Sequence, residues 1–232
     1  MTSSSQIPWK RISAESIAII ASILLAFSID TWWENRKEGN LEALYLSELR
    51  EDFEISRTRL ESQIDLLEQT ISDLRRLQDE ALLESPTLSV DDLNRKFTNI
   101  LQMPTFFPAN RAYANLLGAR DLNLIQNRAL KNALAGYFAA ANVTELVQGT
   151  HEMELVQIYE PYIIQNLDYA AIYIARVDDF QPGGPSHETR ILDVIGTSEF
   201  RNIIFQKWTI STDLLNQFRG MLERKNQILA ML

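Results

Sequence analysis

From Ile17 to Ile29 every residue is apolar, alanine or serine. This run constrains the chain more than any other feature, because a helix so uniformly apolar needs lipid or a protein core around it. Alone it is shorter than the roughly 20 residues a spanning helix requires, but taken from Ser13 to Trp33 it suffices. Glu15 and Asp30 then fall near the two ends, where charge costs less than at the bilayer centre. Trp32 and Trp33 sit where an interfacial aromatic belt belongs, and Trp9 lies on the other side beside Lys10 and Arg11. Residues 12–38 are therefore expected to form a transmembrane anchor, preceded by a disordered tail over 1–11. A cleaved signal peptide and an interfacial helix are the rival readings; Ala26-Phe27-Ser28 only weakly resembles a cleavage site.

Ala14, Ala18, Ser22, Ala26 and Asp30 recur every four residues, so they share one helix face. Small residues at that spacing let two backbones approach closely in lipid. Two readings stay open: a self-association face with Asp30 bonding across it, or ordinary membrane-helix composition with Asp30 at the headgroups. Basic residues are nearly balanced across the anchor, Lys10 and Arg11 against Arg36 and Lys37. The short N-terminal side, with no acidic residue before Glu15, is the easier one to leave in the cytoplasm. The expectation is a single-pass inner-membrane protein with its bulk in the periplasm.

Formal net charge is −9 over 232 residues. Residues 1–40 hold four basic and four acidic side chains, so the remainder carries the whole excess. An acidic body without a basic stripe argues against nucleic acid as a partner. There are no cysteines, which excludes disulfides, thiol chemistry and cysteine-bound metals.

Beyond the anchor the pattern is helical throughout. Leu46, Phe53, Leu60, Leu67 and Leu74 recur every seven residues, and Leu49, Ile64 and Ile71 supply a partial second row interrupted at Ser56 and Gln63. Such a seam fits a coiled coil between protomers or one helix of an intramolecular bundle, and the helices that follow favour the bundle. Ser85-Pro86 is expected to end this helix near Glu84. Ser89 reads as the N-cap of a helix to about Met103. Phe106 and Phe107, between Pro104 and Pro108, read as plugs of the bundle. Asn110–Leu117 predicts a short helix stopped by a left-handed Gly118. Asn127 caps a further helix to about Tyr159, whose small residues (Ala133, Ala135, Gly136, Ala139, Ala140, Ala141) predict close helix contact. Pro161 kinks or restarts it. Gln181–Ser186 reads as a loop, followed by a helix near Glu188–Ile195, a break at Gly196, and a last helix capped by Thr197 or Ser198. The fold expected is all-α: a transmembrane helix continuing into a long helix, packed into an antiparallel bundle over 39–232.

Two stretches resemble an uncharacterised bacterial family, a domain of unknown function, of single-pass, N-terminally anchored helical proteins. The first is AESIAIIASILLAFSIDTWWENRKE followed by LEALYLSELREDFE, where Glu15, Trp33, Leu46, Leu49 and Asp52 match the family's pattern. The second is FFPANRAYANLLGARDLNLIQNRALKNALAGYF, matched at Phe107, Tyr113, Leu116, Gly118, Leu122, Ile125, Asn127, Leu130 and Tyr137. SEFRN at 198–202 is a third echo. Asp30 departs from the uncharged amide more usual there. The resemblance implies a membrane-anchored helical domain and no established activity.

With only His151 and His187, most histidine-based sites are hard to build, and His151-Glu152 lacks the second histidine of a zinc helix. Gly183-Gly184 lies between prolines without a following lysine, unlike a phosphate loop. Tyr162, Tyr169 and Tyr173, at spacings of seven and four, share a face if one helix carries them. That face would line a groove for a ligand or partner helix, or simply pack in the core. Three functions compete. The first is a non-enzymatic membrane-tethered interaction module, homo-oligomeric or bound to other membrane proteins, with no cofactor. The second is a ligand-sensing bundle acting through a membrane partner, and the third a channel subunit.

Overall fold

The computed structural model describes residues 9–169, 172 and 190–232, with side chains from residue 15 onward. Among the described residues there are helices and no strands. The chain opens with α1, Trp9–Glu80, a single helix of 72 residues, about 108 Å long at 1.5 Å per residue. Then come α2 (Val90–Phe97), a 3-10 turn (Thr98–Leu101), α3 (Arg111–Ala119), a second 3-10 turn (Asp121–Leu124) and α4 (Arg128–Glu154). A π-helical turn (Leu155–Tyr159) joins α4 to α5 (Glu160–Asn166). After residues 170–189 come α6 (Arg190–Val194) and α7 (Ser198–Leu229).

The first part of α1 stands alone. Residues 15–40 are exposed without exception, although they include Ile17, Ile20, Leu24, Leu25, Phe27 and Ile29. From Leu49 onward the same helix enters the bundle: of the heptad row Phe53, Leu60, Leu67 and Leu74 are almost wholly buried and Leu46 half-buried, and Leu49 of the second row is buried with them. Their partners belong to the same chain. α7 runs antiparallel along α1, with Arg219 paired to Glu68 at 2.7 Å. α4 ascends beside them in the direction of α1, from Tyr137 against Phe53 (ring centroids 4.9 Å apart) to Tyr159 in the cluster that holds Leu74 and Leu77. The heptad row thus packs inside the protomer.

Its interruptions have a use. Ser56 Oγ accepts from Ala109 N at 2.8 Å, Gln63 Oε1 from Thr105 N at 3.1 Å, and Asp52 Oδ2 from Ala112 N at 2.8 Å. Polar side chains in the α1 seam satisfy backbone donors of the proline-rich connector and of the first turn of α3, which the connector itself leaves without partners. Asn110 makes no side-chain cap of its own; a carboxylate from another helix does that work.

Several boundaries differ from the sequence reading. α1 ends at Glu80, not Glu84, because the buried Glu80 carboxylate turns onto the returning chain. It accepts from Thr87 N at 2.5 Å, Thr87 Oγ1 at 2.7 Å and Leu88 N at 3.2 Å, and meets Arg76 at 2.6 Å. Burial alone would raise this carboxyl, but the Thr87 and Leu88 donors and Arg76 outweigh it and hold it below its ordinary 4.5. The folded form therefore binds its proton less readily than the unfolded chain, so this stabilisation is present above about pH 4.5 and fades as pH falls through the lower folded value. Glu80→Gln is expected to cost about 1.5–3 kcal/mol at pH 7, and to flatten the fall in urea midpoint below that pH.

The left-handed stop lies on Arg120 (φ 63°), not on Gly118, which remains helical. α2 gives way to a 3-10 turn at Thr98 instead of continuing to Met103. Asn127 and Thr197 cap as expected, accepting from Leu130 N and Phe200 N. Of the two connector phenylalanines only Phe106 is inserted, at 4% exposure against 60% for Phe107. The small residues of α4 divide: Ala133, Ala140 and Ala141 are half-buried, whereas Ala135 and Ala139 are exposed.

Candidate functional site

Two apolar clusters stack along the bundle. The anchor-proximal one contains Leu49 to Leu67, Phe106, Leu134 and Phe218, and the distal one Leu74, Phe97, Tyr159, Ile163 and Phe200. Between them lies a buried polar layer: Thr70 from α1, Gln148 and His151 from α4, Lys207 and Ser211 from α7. Lys207 is wholly buried and donates from Nζ to the Gln102 carbonyl at 2.7 Å. Its Nζ also lies 2.5 Å from His151 Nε2 and 5.2 Å from the centre of the Tyr159 ring. The Tyr159 hydroxyl donates to Glu154 at 2.7 Å.

Burial pushes Lys207 down to about 7, opposed by Glu154, and pushes His151 down to about 3, with Lys207 adding to the effect. Neutral His151 can then accept at Nε2 from the lysine. The same layer holds the Thr70 and Ser211 hydroxyls, buried with no hydrogen-bond partner among the described residues. Beside it the chain takes its π-helical turn, which re-aims Tyr159 into the core.

A second buried lysine lies nearer the anchor. Lys225 has no exposed surface, and its Nζ sits 4.8 Å from the Phe106 ring and 5.7 Å from the Tyr137 ring, with no hydrogen-bond partner among the described residues. Burial lowers it to about 7, Glu61 acting to raise it and Arg57 to lower it. The Tyr137 hydroxyl is likewise unpartnered, and burial raises it.

Neither lysine was singled out from sequence, although a signal existed. Phe200, Ile204, Leu214, Phe218, Met221 and Ile228 follow an alternating three–four spacing, and that register places Lys207, Ser211 and Lys225 in the same inward row.

The residues expected to act fare differently. Tyr162 is buried in the distal cluster, with burial and then Glu199 raising it to about 12. Tyr169 packs against that cluster, but α5 ends at Asn166 and Leu167 is extended, so no single helix face carries the two. Tyr173 lies outside the described residues. Ala18, Ser22, Ala26 and Asp30 are exposed along α1 as one face, and Ser22 Oγ donates back to the Ala18 carbonyl at 2.8 Å. The side chains of Ala14 and Trp9 lie outside the described ones. Trp32 and Trp33 are exposed, with Arg36 placed 5.8 Å over the Trp32 ring.

A groove between α1 and α7 is lined by Leu74, Arg75, Gln78, Ile204, Phe205 and Trp208. Gln78 Oε1 and Trp208 Nε1 are buried there without partners among the described residues. Among the described residues no three histidine, aspartate or glutamate side chains gather as a cation would need. No protein-family model, no curated protein and no solved structure matches this chain, so the family likeness rests on the quoted residues alone.

Proposed function

We propose that this chain is a membrane-anchored, non-enzymatic helical interaction module. In this reading it is held at an inner membrane with its N-terminus cytoplasmic and its bundle on the far side. The observation that carries it is the N-terminal arm of α1, long and apolar enough to cross a membrane and exposed throughout residues 15–40. Ten large apolar side chains between Ile17 and Trp33 stand in the open. A soluble domain rarely leaves so continuous an apolar surface uncovered, so lipid or another membrane helix is the natural complement. The Ala18–Asp30 face supplies close helix approach within the bilayer.

Fractionation tests the anchor: the wild type is expected with membranes after an alkaline carbonate wash, and Leu24→Arg, about 2.5–3.5 kcal/mol against insertion, largely in the soluble fraction. Crosslinked capture from native membranes tests the module. A reproducible complex weakened by Asp30→Leu supports it, and a lone monomer with no captured protein removes it.

The groove at Gln78 and Trp208 favours a second reading, a bundle that senses a small ligand. Its almost wholly apolar floor suits a small hydrophobic molecule. If no member of a metabolite library raises the melting temperature, that reading fails.

A further inference from the structure

α4 carries two rows of regularly spaced residues, one buried and one exposed. Its inward row, which includes Leu134, Tyr137, Thr144, Gln148 and His151, is buried in the bundle. Displaced five residues from that row runs a second one: Ala139, Asn142, Leu146, Gly149 and Met153, again alternating three and four, with Val156 just beyond it in the π-helical turn. All six positions are exposed, Leu146 at 74%. A row with 3.5-residue spacing on an outer helix face matches the seam one helix presents to another lying alongside it. We propose that this outer face of α4 pairs with the same face of a second copy of the chain, parallel and in register. The inference rests on the interaction-module reading and names its partner.

Three observations select a second copy in that orientation. The first is direction. α4 runs the same way as α1, and two chains inserted alike in one membrane are related by a twofold axis along its normal, which brings their α4 helices together parallel and level. The second is Asn142, the lone polar residue of the row. In a parallel register it meets its own copy, and two side-chain amides satisfy each other, the device by which a single seam asparagine sets register. In an antiparallel register, with Leu146 opposite Gly149, Asn142 would face Met153 and go unpaired.

The third is charge. Residues 132–144 are uncharged within a body of net −9, so two acidic copies can meet there without opposing carboxylates. At the seam's edge a parallel pair sets Glu145 near Thr150. An antiparallel pair would set Glu145 against Glu152, a like-charge contact.

Size sets the expected behaviour. On α4 the row covers 15 residues, a strip about 22 Å long and about 10 Å wide. A pair of such strips buries well under the ~1,200 Å² of a free-standing complex. Tethering in one membrane raises the effective concentration enough for a weak seam to close. The dimer is therefore expected in membranes and to dissociate on dilution in detergent.

Because the chain has no cysteine, single-cysteine variants of the full-length protein in membranes report the seam directly under mild oxidation. Asn142→Cys, Leu146→Cys and Met153→Cys are expected to give the disulfide-linked dimer, and Asp65→Cys, on the exposed face of α1, is not. Adding Leu146→Glu to Met153→Cys is expected to lower the crosslinked fraction at least about fivefold, with helicity by circular dichroism unchanged. Equal crosslinking at Asp65 and the seam, or none at the seam in a folded protein, overturns the pairing. Capture of a different protein that Leu146→Glu releases, with no self-crosslink, also overturns it while leaving the interaction module standing. A monomer with no partner by either assay removes both.

Discussion

Lys225→Met is expected to stabilise the protein. The native ammonium is buried over two aromatic rings with no acceptor among the described residues, so folding strips its hydration and returns only ring contacts. Replacing a buried charged group with an apolar side chain of similar length is worth about 1–4 kcal/mol, a rise in Tm of about 2–16 °C for a chain of this size. The sign of the pH dependence follows. Lys225 is lowered to about 7 from 10.5, so between these values the unfolded chain binds a proton that the folded one has released. Stability then rises with pH across that window, by up to about 1.4 kcal/mol per pH unit for each such lysine. Thermal unfolding of the full-length protein in detergent between pH 7 and 9 checks both points: the wild type gains stability as pH rises, and Lys225→Met starts higher and gains less. A lower Tm for the variant at pH 7 would mean that the lysine has an acceptor or that the rings hold it more strongly than its desolvation opposes.

Lys207→Met is the informative contrast. That lysine donates to the Gln102 carbonyl and meets His151, so removing it also removes a donor these buried groups use. The gain expected at Lys225 should be absent or reversed here.

The connector phenylalanines carry the other large effect. Phe106→Ala is expected to cost about 3–5 kcal/mol, because the ring is 4% exposed, meets Phe218 edge-on at 6.0 Å and floors the Lys225 site. Phe107→Ala, losing a ring 60% exposed, should change stability by no more than about 0.5 kcal/mol. Urea unfolding of the two variants side by side decides the assignment, and equal losses would refute it. Phe106→Ala in the Lys225→Met background should cost more than in the wild type, since opening the site to water no longer relieves a buried charge.

These two neighbours show where sequence reasoning ran out. MPTFFP reads as a rigid aromatic connector, but which ring turns inward goes with where distant side chains hold its backbone: Gln148 bonds Phe106 at both N and O, Gln63 holds Thr105 and Ser56 holds Ala109. Ser56 and Gln63 had read only as gaps in a heptad row. Gly118 had the residue type for a left-handed stop, yet the helix runs on to Ala119 and Arg120 takes that conformation. The tyrosine face assumed a helix unbroken through Leu167, where the chain turns extended.

What the sequence determined by itself was periodic or local: all-helical structure, the apolar arm, the caps at Ser89 and Asn127, a cap at Thr197 or Ser198, and the heptad leucines as a buried row. Each follows from spacing along one helix or from a side chain reaching its own backbone, and neither needs a distant partner. Tertiary structure alone decided that the heptads pair within the chain, that Glu80 ends α1 and Asp52 caps α3, and which second face of α4 stays uncovered. It also decided the surroundings of Lys207 and Lys225: spacing could point them inward, but only packing reveals that, among the described residues, one meets acceptors and the other does not. The physical reason is range. Periodicity is written residue by residue, whereas desolvation and hydrogen-bond satisfaction depend on what other helices bring to the same point in space.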